Sequence, residues 1–266
     1  MLFITNPSTQ GFLNESDRIL LRSNSTTPDH DIDFRPGLAW LINPANTADR
    51  KLFHNSSTIT KKLNQNWAAG NNQGMLDTGT VSDTTYHLFA IGTNEGQLDF
   101  LASTSLTPTL PANYQYRLRV GSITRAGGAN RRFTQIGRYF QFPEDIIALN
   151  GYAVSTSGEL ITMPTPLGIR VAVLANLHPG TGNHALVIKV LDGDLSIDSL
   201  PSSIWDNNFR GTVSSYYGSG AYYTNSTEIY TITNTSAQIY FRRAGSYHSS
   251  NHQTVLQVHG YEDINL

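Results

Sequence analysis

The sequence contains no cysteine, which excludes disulfides, thiolate nucleophiles and thiolate metal sites. Charge is scarce as well. Charged residues make up 14% of the 266 residues, well below the roughly 25% usual in globular domains. A long amphipathic helix normally carries a dense charged face, so this scarcity speaks against a helical protein. Neither sign dominates, with 18 basic against 20 acidic side chains and a net charge of -2. There is no basic field to draw in a nucleic-acid backbone or an anionic membrane surface. The opening Met1-Leu2-Phe3-Ile4 is apolar but lacks a basic flank and ends at Asn6-Pro7. That fits neither a signal peptide nor a membrane span, and the expectation is a protein made and folded in a cytoplasm.

Ser, Thr, Asn and 22 Gly fill the place of the missing charge, with 13 Tyr and 11 Phe supplying apolar area. This composition suits short strands joined by polar turns and argues against disorder. The expected fold is all-β, an antiparallel β-sandwich or jelly roll with one short amphipathic helix and an extended N-terminal arm. No period of 20–50 residues recurs, so propellers and β-helices are set aside.

Residues 1–36 read as the arm, because Ile19-Leu20-Leu21 stands among polar residues with no sustained period. Asp31-Ile32-Asp33-Phe34 alternates, and Leu38-Ala39-Trp40-Leu41-Ile42 is a short apolar strand. The spacing of Ile59, Leu63 and Trp67, each four apart, predicts a helix over 57–69, capped by Ser57 and closed at Gly70. That helix packs on its own sheet or on another subunit. From Val81 the period changes to two. Tyr86 to Ile91 and Gln97 to Leu101 flank a glycine-containing loop as a hairpin. Tyr114 to Val120 alternates, and Gly127-Gly128 turns the chain.

These stretches carry a resemblance. Asp31-Ile32-Asp33, Leu63-Asn64-Gln65-Asn66-Trp67-Ala68-Ala69-Gly70 and Gly74-Met75-Leu76-Asp77-Thr78-Gly79 are followed by Thr85-Tyr86-His87-Leu88-Phe89-Ala90-Ile91. Ser103-Thr104-Ser105, Pro108-Thr109-Leu110-Pro111 and Arg119-Val120-Gly121-Ser122-Ile123 come next, and Ile229 to Ile239 and Gly260-Tyr261-Glu262-Asp263 stand near the end. In order and spacing they resemble a family of bacteriophage and prophage virion proteins of the tail-fibre or minor structural type. The resemblance implies a virion location, assembly with other virion proteins and no assigned active site.

The second half brings strands around Val171, Val187, Ile229, Ile239 and Val255. Residues 143–166, with Pro143, Pro164 and Pro166, form a possible linker between the strand-rich region 37–142 and a sandwich half 167–266. The strands of 80–142 and 167–266 can equally share one composite domain.

Motifs for chemistry are few. Asp192-Gly193-Asp194 begins like a calcium loop, but the sixth position is Ile197 and the twelfth is Ser203, so the spacing fails. Of the eight His, His248 and His252 alone have an i, i+4 spacing, and they lie in a Ser/Asn loop with no helical frame for a metal. No nucleophile elbow or phosphate loop occurs. Glu144-Asp145, Asp206 and Glu262-Asp263 are the carboxylates a glycosidase would need to pair. No cofactor, metal or catalytic residue is expected. The candidate partner-binding residues are Trp205, Phe209, Tyr216, Tyr217, Tyr222 and Tyr223, set among Ser and Gly as recognition aromatics are in antibody loops. The expected partners are further copies in a homotrimer, other virion proteins, and a host polysaccharide or receptor. The rival functions are capsid decoration or a head fibre and, from another class, a polysaccharide-degrading tailspike-like enzyme.

Overall fold

The computed structural model describes residues 18–151, 158–178, 186–191, 193–194, 212–215, 226–244 and 254–266. Among them every regular element is a strand. β1 (Leu21–Ser23), β2 (Asp31–Phe34), β3 (Gly37–Asn43), β4 (Asn46–Asn55), β5 (Ile59–Asn66) and β6 (Gln73–Leu76) come first. β7 (Thr85–Thr93), β8 (Leu98–Ser103), β9 (Tyr114–Ala126), β10 (Ala129–Asn130), β11 (Thr134–Ile136) and β12 (Tyr139–Gly151) follow. β13 (Glu159–Thr162), β14 (Ala172–His178), β15 (Leu186–Leu191), β16 (Thr212–Ser215), β17 (Thr227–Ile232), β18 (Gln238–Ala244) and β19 (Thr254–Glu262) complete the set.

One large sheet runs in the order β17-β14-β19-β12-β11-β1-β2-β5-β6-β8-β7-β9-β3-β4, with β10 beside β9. Its pairs are antiparallel except β5–β6 and β6–β8. A smaller antiparallel sheet has the order β13-β18-β15-β16. The large sheet doubles back on itself as a sandwich. A Cβ placed on Gly121 of β9 would come within 2.6 Å of Leu21 on β1 and 2.8 Å of Phe140 on β12. The Tyr261 hydroxyl of β19 donates to the Ser122 carbonyl of β9. Between the layers lie Phe34 and Phe100, stacked with centroids 3.9 Å apart, and the stacked pair Phe140 and Tyr261 at 5.0 Å. Strands from both halves of the chain thus share one sheet and one core.

Three expectations meet a different structure. The segment read as a helix is strand β5, paired with β2 through Asp31↔Lys62 and Phe34↔Ile59. A spacing of four residues satisfies a strand's period of two as well as a helix's period of 3.6. The residue that separates the two readings is Lys61, fully buried between Ile59 and Leu63. Its charge hid the alternation. Trp67 lies just beyond the strand. The supposed linker is strand through residue 151, because β12 runs across Pro143 and pairs with β19 on the far side. Proline is tolerated there because the register shifts between Gln141 and Ile146, forming a bulge. Finally, β1 and β2 of the supposed arm sit inside the sheet, with Ile19, Leu21, Ile32 and Phe34 buried in this chain's own core.

Candidate functional site

The outer face of β8-β7-β9-β3-β4, turned away from the main core, gathers most of the unusual side chains. At its centre Phe89, Ile91 and Leu101 form a second small core under Trp67, Leu110 and Tyr114. Alternation produces it: these residues interleave with Leu88, Ala90 and Phe100, which face the main core. The lid is held by an ion pair. The Lys61 ammonium is 3.0 Å from Asp99 Oδ1 and donates to the carbonyls of Ala68 at 2.7 Å and Gly70 at 3.2 Å. Asp99 Oδ2 in turn accepts the Gly70 N–H at 2.8 Å. Trp67 donates from Nε1 to the Phe100 carbonyl at 3.1 Å, and its ring meets Tyr114 edge-on with centroids 5.2 Å apart. Burial pushes the Lys61 ammonium below its ordinary range, against the opposing pull of Asp99.

Beside this lid lies a polar cluster. Arg119 clasps Asp263 with both terminal nitrogens, and its Nη1 also donates to Ser122 Oγ at 3.0 Å. Ser122 Oγ also shares a hydrogen bond of 2.8 Å with His87 Nδ1. The ring is held neutral: burial, and then the Arg119 charge, lower its pKa to about 4. A serine, a histidine and an aspartate in one cluster invite comparison with a hydrolase triad, but the roles do not match. Ser122 is fully buried, and Asp263 binds the arginine instead of orienting the imidazole.

Above the cluster an open recess of ≈ 430 Å³ is lined by Leu106, Arg119, Gly168, Ile169, Arg170, Thr235 and Asn265. Both of its guanidinium groups are already engaged, Arg119 with Asp263 and Arg170 with Asp194 at 3.2 Å.

Among the described residues, nothing covers the far end of the face. Trp40 of β3 and Leu52 of β4 oppose each other across the ladder, 42% and 45% exposed. Leu38 and Ile42 flank Trp40 on the same side of β3, half-buried. The inner residues of the same hairpin are sunk in the core. Phe53 is 2% exposed and leaves no room for a side chain at Gly92, where a Cβ would lie 2.4 Å from its ring.

Of the expected site residues, Trp205, Phe209, Tyr216, Tyr217, Tyr222 and Tyr223 lie outside the described residues, as do His248, His252 and Asp206. Ile59 and Leu63 belong to β5 and the main core, whereas Trp67 caps the second core. Asp194, from the suspected calcium loop, pairs with Arg170. The suspected glycosidase carboxylates have separate partners: Asp145 contacts His259, Glu262 accepts from Tyr230, and Asp263 is held by Arg119. Among the described residues no group of three or more His, Asp or Glu is placed to hold a metal ion. Sequence reasoning missed the pairing of Arg119 with Asp263 and of Lys61 with Asp99, whose partners lie 144 and 38 residues apart. It also missed the exposed Trp40–Leu52 stripe, because Leu38 to Ile42 is apolar throughout and holds no alternation to separate outward from inward residues. No protein-family model matches this chain, and no curated protein matches it.

Proposed function

We propose that the chain is a non-enzymatic structural component of a tailed-bacteriophage virion, acting in a tail fibre or in host attachment. The observation that carries this reading is the apolar stripe of Trp40 and Leu52, exposed among the described residues and flanked by half-buried Leu38 and Ile42. Exposed contiguous apolar surface of this kind is characteristic of proteins that work by contact. The residues carrying the resemblance to phage virion proteins support the same reading. Those between Asp31 and Ile123 fall on the adjoining strands β2, β5, β6, β8, β7 and β9 and on the loops between them, and those from Ile229 onward fall on β17, β18 and β19. Host recognition is assigned to the aromatic segment from Trp205 to Tyr223. Immunogold labelling of particles with antibodies to the purified chain is the test. Label at the tail tip is expected, and label over the capsid would move the protein to a decoration role. Unlabelled particles would remove it from the virion altogether.

A further inference from the structure

The outward face of β3 and β4 combines apolar surface with arginine. Register sets its residues: Leu38 opposes His54, Trp40 opposes Leu52, and Ile42 opposes Arg50. On the other side of β3, Ile42 pairs with Arg117 of β9, and Leu38 is bridged to Arg18. Arg18, Arg50 and Arg117 thus surround the apolar stripe. Among the described residues none of the three meets a carboxylate, whereas Arg22, Arg119, Arg125, Arg132 and Arg170 each have an aspartate partner. The one acid of β4, Asp49, is taken by the Tyr116 hydroxyl at 2.8 Å and by Asn43 at 3.1 Å. Arg117 carries the argument. It is half-buried, flanked in the ladder by Ile42 and Ile91. Among the described residues its one hydrogen bond goes to the Pro108 carbonyl, at a long 3.5 Å. Burial pushes its guanidinium below the ordinary range, with no acid pulling the other way. A cation desolvated without a counter-ion is costly, and a carboxylate arriving from outside offsets that cost with paired hydrogen bonds. Trp and Arg together are also the side chains that dominate binding hot spots.

We propose that this face binds an acidic stretch of another polypeptide, with a carboxylate on Arg117 and apolar side chains against Trp40 and Leu52. The inference rests on the contact role proposed above and names the chemistry of the partner. Charge complementarity separates this occupant from three others. A second copy meeting the face through a two-fold axis would bring the same patch, and so the same arginines, against it. Single-stranded nucleic acid would gain from the arginines, but Leu38, Ile42 and Leu52 give its bases no aromatic face to stack on. The chain's own residues 1–17 include Phe12, Leu13, Glu15 and Asp17. The bridge from Arg18 to Leu38 is parallel, however, so the chain enters from the Gly37 side, away from Trp40.

The test is selection from a library of random short peptides on the purified full chain. Selected peptides should hold Asp or Glu among apolar residues, and their binding should weaken as salt is raised. Replacing those acids by Asn or Gln should abolish it. Arg117→Gln and Leu52→Ser, each with unchanged circular dichroism, should weaken a selected peptide by about tenfold or more. Arg50→Gln, an exposed change, supplies the charge reading if Arg117→Gln disturbs the fold. Failure to select any peptide overturns the inference, as do selected peptides without acid. So do acidic peptides that bind Leu52→Ser and Arg50→Gln as tightly as the wild type. Three further results overturn it by giving the face to another occupant. A single-stranded oligonucleotide whose binding the same substitutions weaken gives it to nucleic acid. Self-association in sedimentation that Leu52→Ser abolishes gives it to a second copy. Peptide binding that appears only when Glu15→Gln and Asp17→Asn are combined gives it to the chain's own N-terminal segment. Acidic peptides on the chain with unlabelled particles refute the virion role alone, and labelled particles with no acidic peptide refute the docking face alone.

Discussion

His87 couples the stability of this protein to pH. In the fold its imidazole is neutral, with a pKa lowered to about 4, whereas in the unfolded chain it titrates near the ordinary value of 6.5. The unfolded state therefore binds the extra proton first as pH falls. The contribution of His87 is complete above about pH 6.5 and is lost progressively down to about pH 4, a change of roughly 3 kcal/mol. Melting temperature should drop across that window, and His87→Asn should flatten the drop; equal slopes in the two proteins would mean that other groups carry the acid sensitivity. Lys61 tests a different principle. Removing it in Lys61→Ala leaves the Asp99 carboxylate buried without its counter-ion, a loss of about 3–5 kcal/mol. The expected reading is a lower urea midpoint at unchanged slope. Neither role was legible in the sequence, where both residues stand alone in strands and their partners lie far along the chain.

At the scale of the element, patterns of two were legible and ambiguous patterns were not. The hairpin of β7 and β8 forms as its alternation and glycine loop implied, with Gly92 opposite Leu98 and Gly96 at a positive φ of 89°. β2 and β9 likewise form where the sequence alternates, and β3 forms on the short apolar run. β5 was misread because Ile59 and Leu63 fit both periods and Lys61 occupies a core-facing position that sequence statistics reserve for apolar residues. β12 was cut short on paper by Pro143, since nothing local announces a bulge. The hairpin β3–β4 is held to the body by Phe53 against Gly92, and this contact yields a prediction. Gly92→Ala should destabilise by about 1–3 kcal/mol through overpacking, and Phe53→Leu in the same chain should recover part of the loss. If Gly92→Ala melts like the wild type, the hairpin is free to shift outward, and its edge is less firmly placed than the contacts indicate.

For the molecule as a whole, the all-β class was readable from composition, because scarce charge and abundant Thr, Tyr and Gly leave few alternatives. The order of strands was not. It interleaves segments that no local signal connects, placing β1 between β11 and β2 and setting β19 between β12 and β14. The candidate site suffered similarly: its outward residues lie on ordinary strands, while the aromatic segment that attracted attention lies outside the described residues. The interleaving also governs how the chain reaches its native state. β12 can pair early with neighbouring β11, but it cannot acquire its second partner, β19, until residues 254–262 have been made, and the Leu21 N–H finds its acceptor in Gln135, 114 residues away. Ribosomal synthesis at about 5–20 residues per second leaves β12 waiting several seconds with one side exposed. Loop closure on this scale must precede the contacts that reward it, so refolding should fall at the slow end, milliseconds to seconds or beyond. During that interval the incomplete sheet has unpaired edges, and chaperone demand should be set by the distance between β12 and β19 rather than by the hydrophobicity of either strand.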